Sequence, residues 1–389
     1  GMLLYSTALA VSGPVNMRGV DGGDGSGTGR GAMAYSCTFG MVTSTFIAQS
    51  LDIVIPSGGD SGTSSFAAAG GGISLSHSSL VSSARPYVVN LNYHSGMLLK
   101  DYLSISSGTT GSSATAPGHV RFNSFLQVQS ASELFVKGDL SISAPDSGLL
   151  TNFGQGSDGG SAFVSVVTNS EMNVGGDFSL FAGDGTDRAD GGDAYLFLGL
   201  GTVEIFGDTN IRGGDAGNND GDGGFAKISS SSNSFIRLRD VALTGGEGEP
   251  EGSAVVDNNC GCEFVLLGQM VMGPQDADSI ITQRVSTFTI YPCEDADLVM
   301  EGPNEHFFSS VFRDCRSDVD AGDIFYSTPT GDPQSDFDCT PCECTDITDF
   351  EEFCPEFLTP SPSPSSEPEP SSASFLSSSF VLSFLHLFF

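Results

Sequence analysis

Residues 177–246 constrain the fold most, because one pattern of short apolar segments and glycine-rich loops is written there twice. An Asp/Gly loop leads into two apolar segments at 194–198 and 203–206, and the pattern restarts at Asp208. Each segment is short and alternates apolar with polar residues, which is typical of a β-strand. A repeat of this length predicts a stacked architecture, in which each unit needs its neighbours to complete a core.

Seven loop positions mark the repeat and follow one another roughly every 30 to 50 residues. They are Asp24, Asp60, Thr109, Asp146, Asp184, Asp215 and Glu247. Each interval holds one glycine-rich loop and three short strands, such as 163–167, 172–174 and 178–180. Three strands per turn predict a parallel β-helix, whose coils stack at about 4.8 Å and share one core. The long interval after Asp60 predicts an insertion between Ser76 and Gly96.

The same alignment predicts which side chains stack inside. We expect Phe135, Phe178, Ile211 and Leu243 to form one apolar ladder through neighbouring coils. A sandwich or barrel of short hairpins is the alternative all-β fold. It predicts tight turns between strands, whereas here a long glycine loop recurs once per three strands, so the pattern favours the β-helix.

The charge balance narrows the choice of partners. The chain has 48 acidic and 14 basic residues and a formal net charge of −34. Such a chain should repel nucleic acid and anionic lipid, which excludes them as partners and favours a cation or a neutral glycan. The 51 glycines and the scarcity of Lys and Arg also favour an all-β fold.

Cysteine usage divides the chain. Cys37 stands alone in a strand-like segment, where we expect a small buried side chain. The other eight are clustered: Cys260, Cys262, Cys293, Cys315, Cys339, Cys342, Cys344 and Cys354. Such a cluster suggests an oxidising compartment and disulfides, whose pairing the sequence does not specify. The spacing at 339–344 also resembles a metal knuckle, but nearby histidine is lacking and acidic neighbours favour disulfides over zinc.

The repeat fades after Met272, which predicts four regions. We expect β-helix coils over 1–272, an acidic Cys-rich terminal coil or cap over 273–358, and a Pro/Ser-rich stalk over 359–374. A hydrophobic tail then occupies 375–389. The segment 1–4 recurs as 96–99, which predicts that the chain begins within a coil and lacks upstream coils and a targeting signal.

The tail is shorter than the roughly 20 residues that span a bilayer. Small residues, a short polar segment and a terminal apolar run resemble a glycosylphosphatidylinositol (GPI) attachment signal, with Ser371, Ser372 or Ala373 as the attachment site. A true membrane tail and a fortuitous hydrophobic terminus are the alternatives. The first interpretation predicts an extracellular protein anchored at the cell surface.

Residues 312–325 resemble the Phe-x-x-Asn … Gly-Gly-Ala-Ile repeat of polymorphic outer-membrane-type β-helix proteins, with Cys315 in place of Asn and Gly-Asp in place of Gly-Gly. The coil pattern is also similar to the right-handed, pectate-lyase-like β-helix. The resemblance implies an all-β fold: a single-stranded right-handed parallel β-helix of about seven or eight coils with a Cys-rich C-terminal cap. That family includes pectate lyases, galacturonases and uronan epimerases, so polysaccharide chemistry enters as an expectation.

Aspartates in the loops are the candidate metal ligands. They are Asp184, Asp187, Asp190, Asp193, Asp215, Asp220 and Asp222. Calcium takes six to eight oxygen ligands, which stacked loops would supply, although neither loop has EF-hand spacing. Asp and Asn also suit tight turns, so solvated turn residues are the alternative.

The sequence therefore favours a secreted or cell-surface anchored β-helix that acts as a display, adhesion or cell-coat module, with its Gly/Asp loops as the interaction face. Expected partners are extracellular glycans or cell-surface proteins, and the membrane through the lipid anchor. No cofactor is required, and calcium is the one candidate. The alternative is a polysaccharide-active lyase, hydrolase or epimerase. The interpretation favours a protein that is not an enzyme, because no catalytic motif surrounds the five scattered histidines.

Overall fold

The computed structural model describes residues 2–19, 39–55, 89–107, 124–147, 158–186, 188–217, 221–259, 261–273, 279–284, 287–290, 297–300, 305–308 and 311–314. Every described residue belongs to one compact unit, Gly1–Cys344. The predicted stalk, tail and lipid-attachment residues lie outside the described residues. So do Asp187, Asp220, Cys37 and every clustered cysteine except Cys262.

Twenty-five strands are present in the described part of the chain. They are β1 (Met2–Tyr5), β2 (Ala8–Ala10), β3 (Val15–Arg18), β4 (Phe39–Val42), β5 (Thr45–Ala48), β6 (Leu51–Ile55), β7 (Val89–Asn92), β8 (Gly96–Leu99), β9 (Leu103–Ser107), β10 (Ser124–Gln129), β11 (Glu133–Val136), β12 (Leu140–Ser143), β13 (Ala162–Val174), β14 (Phe178–Phe181), β15 (Ala194–Arg212), β16 (Ala226–Ser231), β17 (Phe235–Thr244), β18 (Ala254–Asn259), β19 (Glu263–Leu266), β20 (Gln269–Gly273), β21 (Ser279–Arg284), β22 (Thr287–Ile290), β23 (Asp297–Met300), β24 (Glu305–Phe308) and β25 (Val311–Asp314).

All strand pairs are parallel, and the pairing defines three ladders. Ladder A begins β1–β4–β7–β10, ladder B begins β2–β5–β8–β11, and ladder C begins β3–β6–β9–β12. The long strand β15 contributes successive segments to all three ladders. The fold is therefore all-β, as predicted, without a helix among the described residues. This curled parallel sheet is compatible with a parallel β-helix-like fold.

The core lies inside the curled sheet, because alternate residues of each strand point inward. Ladder C shows this best, since residues in register on successive strands are all aliphatic and at most 1% exposed: Ile53, Ile105, Ile142, Leu180, Ile211 and Leu243. Each side chain packs on similar ones in the neighbouring strands, which gives the buried apolar surface that one repeat alone would lack.

The core ladder predicted from the sequence is wrong in register. Ile211 does pair with Leu243, but Phe178 pairs with Thr209. Phe135 lies on ladder B, where its neighbours Leu134 and Val136 point inward and its own ring is only partly buried. The sequence alignment thus assigned Phe135 to the wrong ladder and Phe178 to a position two residues out of register with Ile211, and the second error keeps the side chain on the inner face because a strand has period two.

Parallel pairing continues beyond Gly273. Strands β21 to β25 extend all three ladders as far as Asp314. At the other end, Met2–Tyr5 belongs to ladder A and Gly96–Leu99 to ladder B. The two copies of Gly-Met-Leu-Leu are therefore not structurally equivalent, because all three ladders use the same small set of apolar residues.

Thr209 places a hydroxyl in the apolar core. It is 1% exposed, its Oγ1 has no hydrogen-bond partner, and it is in register with Phe178 and Val241. We expect Thr209→Val to raise the free energy of unfolding by about 1 kcal/mol or more, because the isosteric change removes an unsatisfied buried group. Val241→Thr should lower it. Urea titration followed by circular dichroism measures both free energies. If Thr209→Val does not stabilise the protein and Val241→Thr does not destabilise it, the assignment is contradicted.

Candidate functional site

The loop aspartates form hydrogen-bonded rows at the corners of the sheet. In one row, the backbone N–H of Asp184 donates to Oδ1 of Asp146 at 3.0 Å, that of Asp215 to Oδ1 of Asp184 at 2.9 Å, and that of Glu247 to Oδ1 of Asp215 at 3.0 Å. These four residues are consecutive loop positions in the sequence alignment. Their predicted equivalence is therefore confirmed.

In two further rows, carboxylates again accept hydrogen bonds from backbone N–H groups. Asp190 donates its N–H to Oδ1 of Asp158 at 3.3 Å, and Asp222 donates to Oδ1 of Asp190 at 2.9 Å. Asp193 accepts the N–H of Phe225 at 3.0 Å. Where a strand bends, backbone N–H groups lose their ladder partners, and a carboxylate from the preceding coil supplies an acceptor.

A row of the same kind precedes ladder C. The N–H of Asp177 donates to Oδ1 of Asp139 at 2.9 Å, and that of Asp208 donates to Oδ1 of Asp177 at 3.0 Å. Oδ1 of Asp240 accepts the N–H of Gln269 at 2.9 Å. This row was not predicted as a site, because each member has the sequence context of an ordinary residue at the start of a strand.

Beneath these rows the glycines of successive loops pack backbone against backbone. Gly192 donates to the carbonyl of Gly183 at 2.9 Å, Gly214 to Gly192 at 2.8 Å, and Gly224 to Gly214 at 2.9 Å. All four are buried. We call Gly183, Gly192, Gly214 and Gly224 the glycine array. The bases of the loops are thus part of the packed scaffold, and the carboxylates of Asp184 and Asp190 remain exposed beside them.

The predicted calcium ligands divide among different rows. Asp184 and Asp215 share one row, Asp190 and Asp222 share another, and Asp193 lies in neither. Among the described residues, no group of three or more His, Cys, Asp or Glu side chains is arranged to hold a metal ion. Calcium binding stays a prediction, since Asp187 and Asp220 are not described.

Crowding and burial change the acidity of these carboxyl groups. Partial desolvation by the neighbouring loops raises the pKa of the exposed Asp184, the hydrogen bond from the backbone of Asp215 offsets part of the rise, and the carboxylates of Asp215 and Asp146 add to it. Burial also raises the pKa of Asp193 and of Asp208, and Asp177 and Asp240 contribute at Asp208. The folded protein therefore binds protons at these sites more readily than the unfolded chain does.

We expect stability to increase as the solution is acidified from neutral pH. Carboxyl groups whose folded pKa lies above the ordinary value of 3.8 destabilise the fold when ionised. Protonation relieves this cost as pH falls through the raised pKa values, and the gain is complete below 3.8. Thermal melts at constant ionic strength from pH 7 down to the ordinary value of 3.8 measure it. A midpoint that falls steadily over this range would contradict the assignment.

Two substitutions at Asp184 separate the effect of its hydrogen bond on stability from the effect of its charge. Asp184→Asn keeps an oxygen acceptor for the N–H of Asp215 and removes repulsion from its acidic neighbours, so stability at pH 7 should be unchanged or higher. Asp184→Ala removes the acceptor, and we expect it to be about 1 kcal/mol less stable than the Asn variant. Denaturant titration compares the two. Equal stability of Asn and Ala would show that the hydrogen bond contributes little.

A second polar cluster lies on the outer face of ladder B. Arg237 Nη1 is 3.0 Å from Glu204 Oε1, and both side chains are about a quarter exposed or less. The Arg237 guanidinium lies 5.3 Å from the centroid of the Phe235 ring. Asn173, in register with Glu204, donates from Nδ2 to Oε1 of Glu171 at 2.5 Å. We call Glu171, Asn173, Glu204 and Arg237 the ladder B cluster.

Glu204 has an altered acidity. Burial raises its pKa, the Arg237 guanidinium opposes the rise, and the Glu171 carboxylate adds to it. Two neighbouring carboxyl groups beside a guanidinium can transfer protons and bind a hydroxylated ligand. This cluster was not predicted from the sequence. Its only sequence signal is that all four residues occupy outward positions on strands one repeat apart.

Of the eight clustered cysteines, the structure describes only Cys262. Cys262 is 2% exposed and lies at the corner before β19. Its burial places the sulfur within the scaffold, and its pairing stays a prediction.

No family model, curated protein or solved structure matches this chain. Within the described ranges, the structure contains no helix of the length and apolar character that would cross a membrane.

Proposed function

We propose that the protein is a secreted or cell-surface anchored display or adhesion module, or a structural component of a cell coat. The observation that carries this proposal is the use of the loop carboxylates. Asp184, Asp190, Asp193 and Asp215 each accept a backbone N–H from the next coil. Residues that hold a scaffold together in this way favour a rigid structural role over a reaction.

Binding without turnover is the test. The purified whole chain should bind cells or extracellular glycans and should release neither reducing ends nor unsaturated uronate from a panel of acidic polysaccharides. Heat-unfolded protein is the control for nonspecific binding. Product release by the folded protein would overturn the proposal.

The second candidate is a polysaccharide-active enzyme, and the ladder B cluster favours it. The raised pKa of Glu204 and its coupling to Glu171 suit a general acid beside a second carboxylate. If products are released, Glu204→Gln should abolish the release and Glu263→Gln, on the same face two strands away, should not. Loss of activity in both variants would contradict a specific catalytic role for the ladder B cluster.

The proposal extends to the finer architecture and to the anchor. It includes right-handed winding, about seven or eight coils over 1–272, a disulfide-linked cap over 273–358 and a GPI anchor at Ser371, Ser372 or Ala373. Non-reducing peptide mapping tests the cap, and release of the mature protein by a phosphatidylinositol-specific phospholipase tests the anchor.

Calcium is the one ion included in the proposal. The acidic rows repel one another and few cations compensate them, so a divalent ion would relieve the repulsion. Thermal melts with and without millimolar calcium test this directly. An unchanged midpoint would leave the aspartates as backbone acceptors only.

A further inference from the structure

The outer face of ladder A differs from the rest of this acidic chain. None of the outward positions on β4, β7 and β10, or on the ladder A segments of β13 and β15, carries a charged residue. Instead the face presents amides and aromatic rings. We call this the neutral face and define it by Asn90, Asn92, Gln127, Gln129, Phe163 and Tyr195.

The amides lie side by side on neighbouring strands. Gln127 is in register with Asn90, and Gln129 and Asn92 each lie two residues further along the same face. Asn90 and Asn92 are 5% and 6% exposed, and the Oδ1 atoms of both have no hydrogen-bond partner. A buried acceptor without a donor destabilises the protein, but these two atoms have almost no accessible surface, so Gln127 and Gln129 are the amides that a ligand can reach. The half-buried Gln127 and Gln129 extend this polar strip toward solvent.

Aromatic rings continue the face along the ladder. The rings of Phe125 and Phe163 stack with centroids 4.8 Å apart, and those of Phe163 and Tyr195 stack at 5.1 Å. Because stacked rings cover each other's faces, their outer edges form an apolar strip. Lys227, with Nζ 5.5 Å from the Tyr195 ring centroid, ends the uncharged region.

We propose that the neutral face binds an uncharged polysaccharide chain. Sugar hydroxyls donate to the side-chain oxygens of Gln127 and Gln129, and the apolar strip packs against sugar C–H groups. The net charge of −34 repels acidic polysaccharides and leaves a neutral chain as the matching partner. This inference rests on the proposed adhesion function and names its site and its ligand class.

The experiment adds one negative charge to the face without changing the shape of a side chain. Binding of the whole chain to a soluble neutral β-glucan, a mannan and a xyloglucan is measured by affinity electrophoresis, with polygalacturonate as the acidic comparison. The variants are Gln127→Glu and Gln129→Glu. The matched control is Asn210→Asp, which adds the same charge at an exposed position on ladder C.

The native chain should bind at least one neutral polysaccharide and not polygalacturonate. Each glutamine variant should weaken that binding at least tenfold, while Asn210→Asp should leave it within twofold. Equal binding by native chain and both glutamine variants would overturn the site and leave the adhesion function standing. Cell binding without binding to any of the three neutral polysaccharides would overturn the ligand class alone. Absence of both cell and polysaccharide binding would overturn the adhesion function as well.

Discussion

Replacing Gly214 by alanine should cost at least about 3 kcal/mol of the free energy of unfolding. A Cβ atom there would overlap the carbonyl oxygen of Gly183 and lie 2.6 Å from its carbonyl carbon. Both are backbone atoms, and Gly214 itself donates to the carbonyl of Gly192 at 2.8 Å. The overlap can be relieved only by separating neighbouring loops, which breaks hydrogen bonds on both sides. Urea unfolding of native and variant chains, followed by circular dichroism, measures the loss.

Gly199 provides the control for this change. A Cβ at Gly199 would meet the Phe197 ring and Val167 Cγ1, each at 3.5 Å, which is ordinary van der Waals contact. We therefore expect Gly199→Ala to change the unfolding free energy by no more than about 0.5 kcal/mol. If both alanine variants lose stability equally, the cost is a general effect of replacing glycine. If neither alanine variant loses stability, the glycine array is not closely packed.

The difference between Gly214 and Gly199 shows which features of the fold could be predicted from the sequence. The loop positions Asp184, Asp215 and Glu247 were aligned correctly because each follows a glycine whose Cβ would overlap backbone atoms of a neighbouring loop. Such positions are fixed by the backbone, which tolerates few residue types, so the pattern survives in the sequence. The all-β class followed from the same evidence, since period-two alternation between glycine loops is hard to produce in a helix.

The register of the side chains and the surface clusters were harder to predict from the sequence. Glu204 and Arg237 meet only because ladder B brings consecutive repeats into register, and their separation along the chain depends on loop length. A corner with one residue fewer, such as the turn at Leu200, shifts that register without a clear mark in the sequence. The buried hydroxyl of Thr209 likewise occupies a position where the pattern predicts an apolar residue.

Truncating Phe178 to alanine should destabilise the protein by about 3–5 kcal/mol. The ring is fully buried in ladder C between Leu140 and Thr209, so its removal leaves a cavity inside a stack whose neighbours are fixed by backbone pairing. Backbone positions held in register on both sides limit collapse into the space. Urea unfolding measures the loss against the native chain.

Phe135→Ala is the matched comparison, because the sequence alignment placed both rings in one core ladder. In the structure Phe135 is partly exposed on the outer face of ladder B, in register with Leu98 and Asn173. Its truncation removes surface contacts without opening a core cavity, so we expect a cost of about 1 kcal/mol or less. A larger loss at Phe135 than at Phe178 would reverse the faces of these strands and restore the register that the sequence alone predicted.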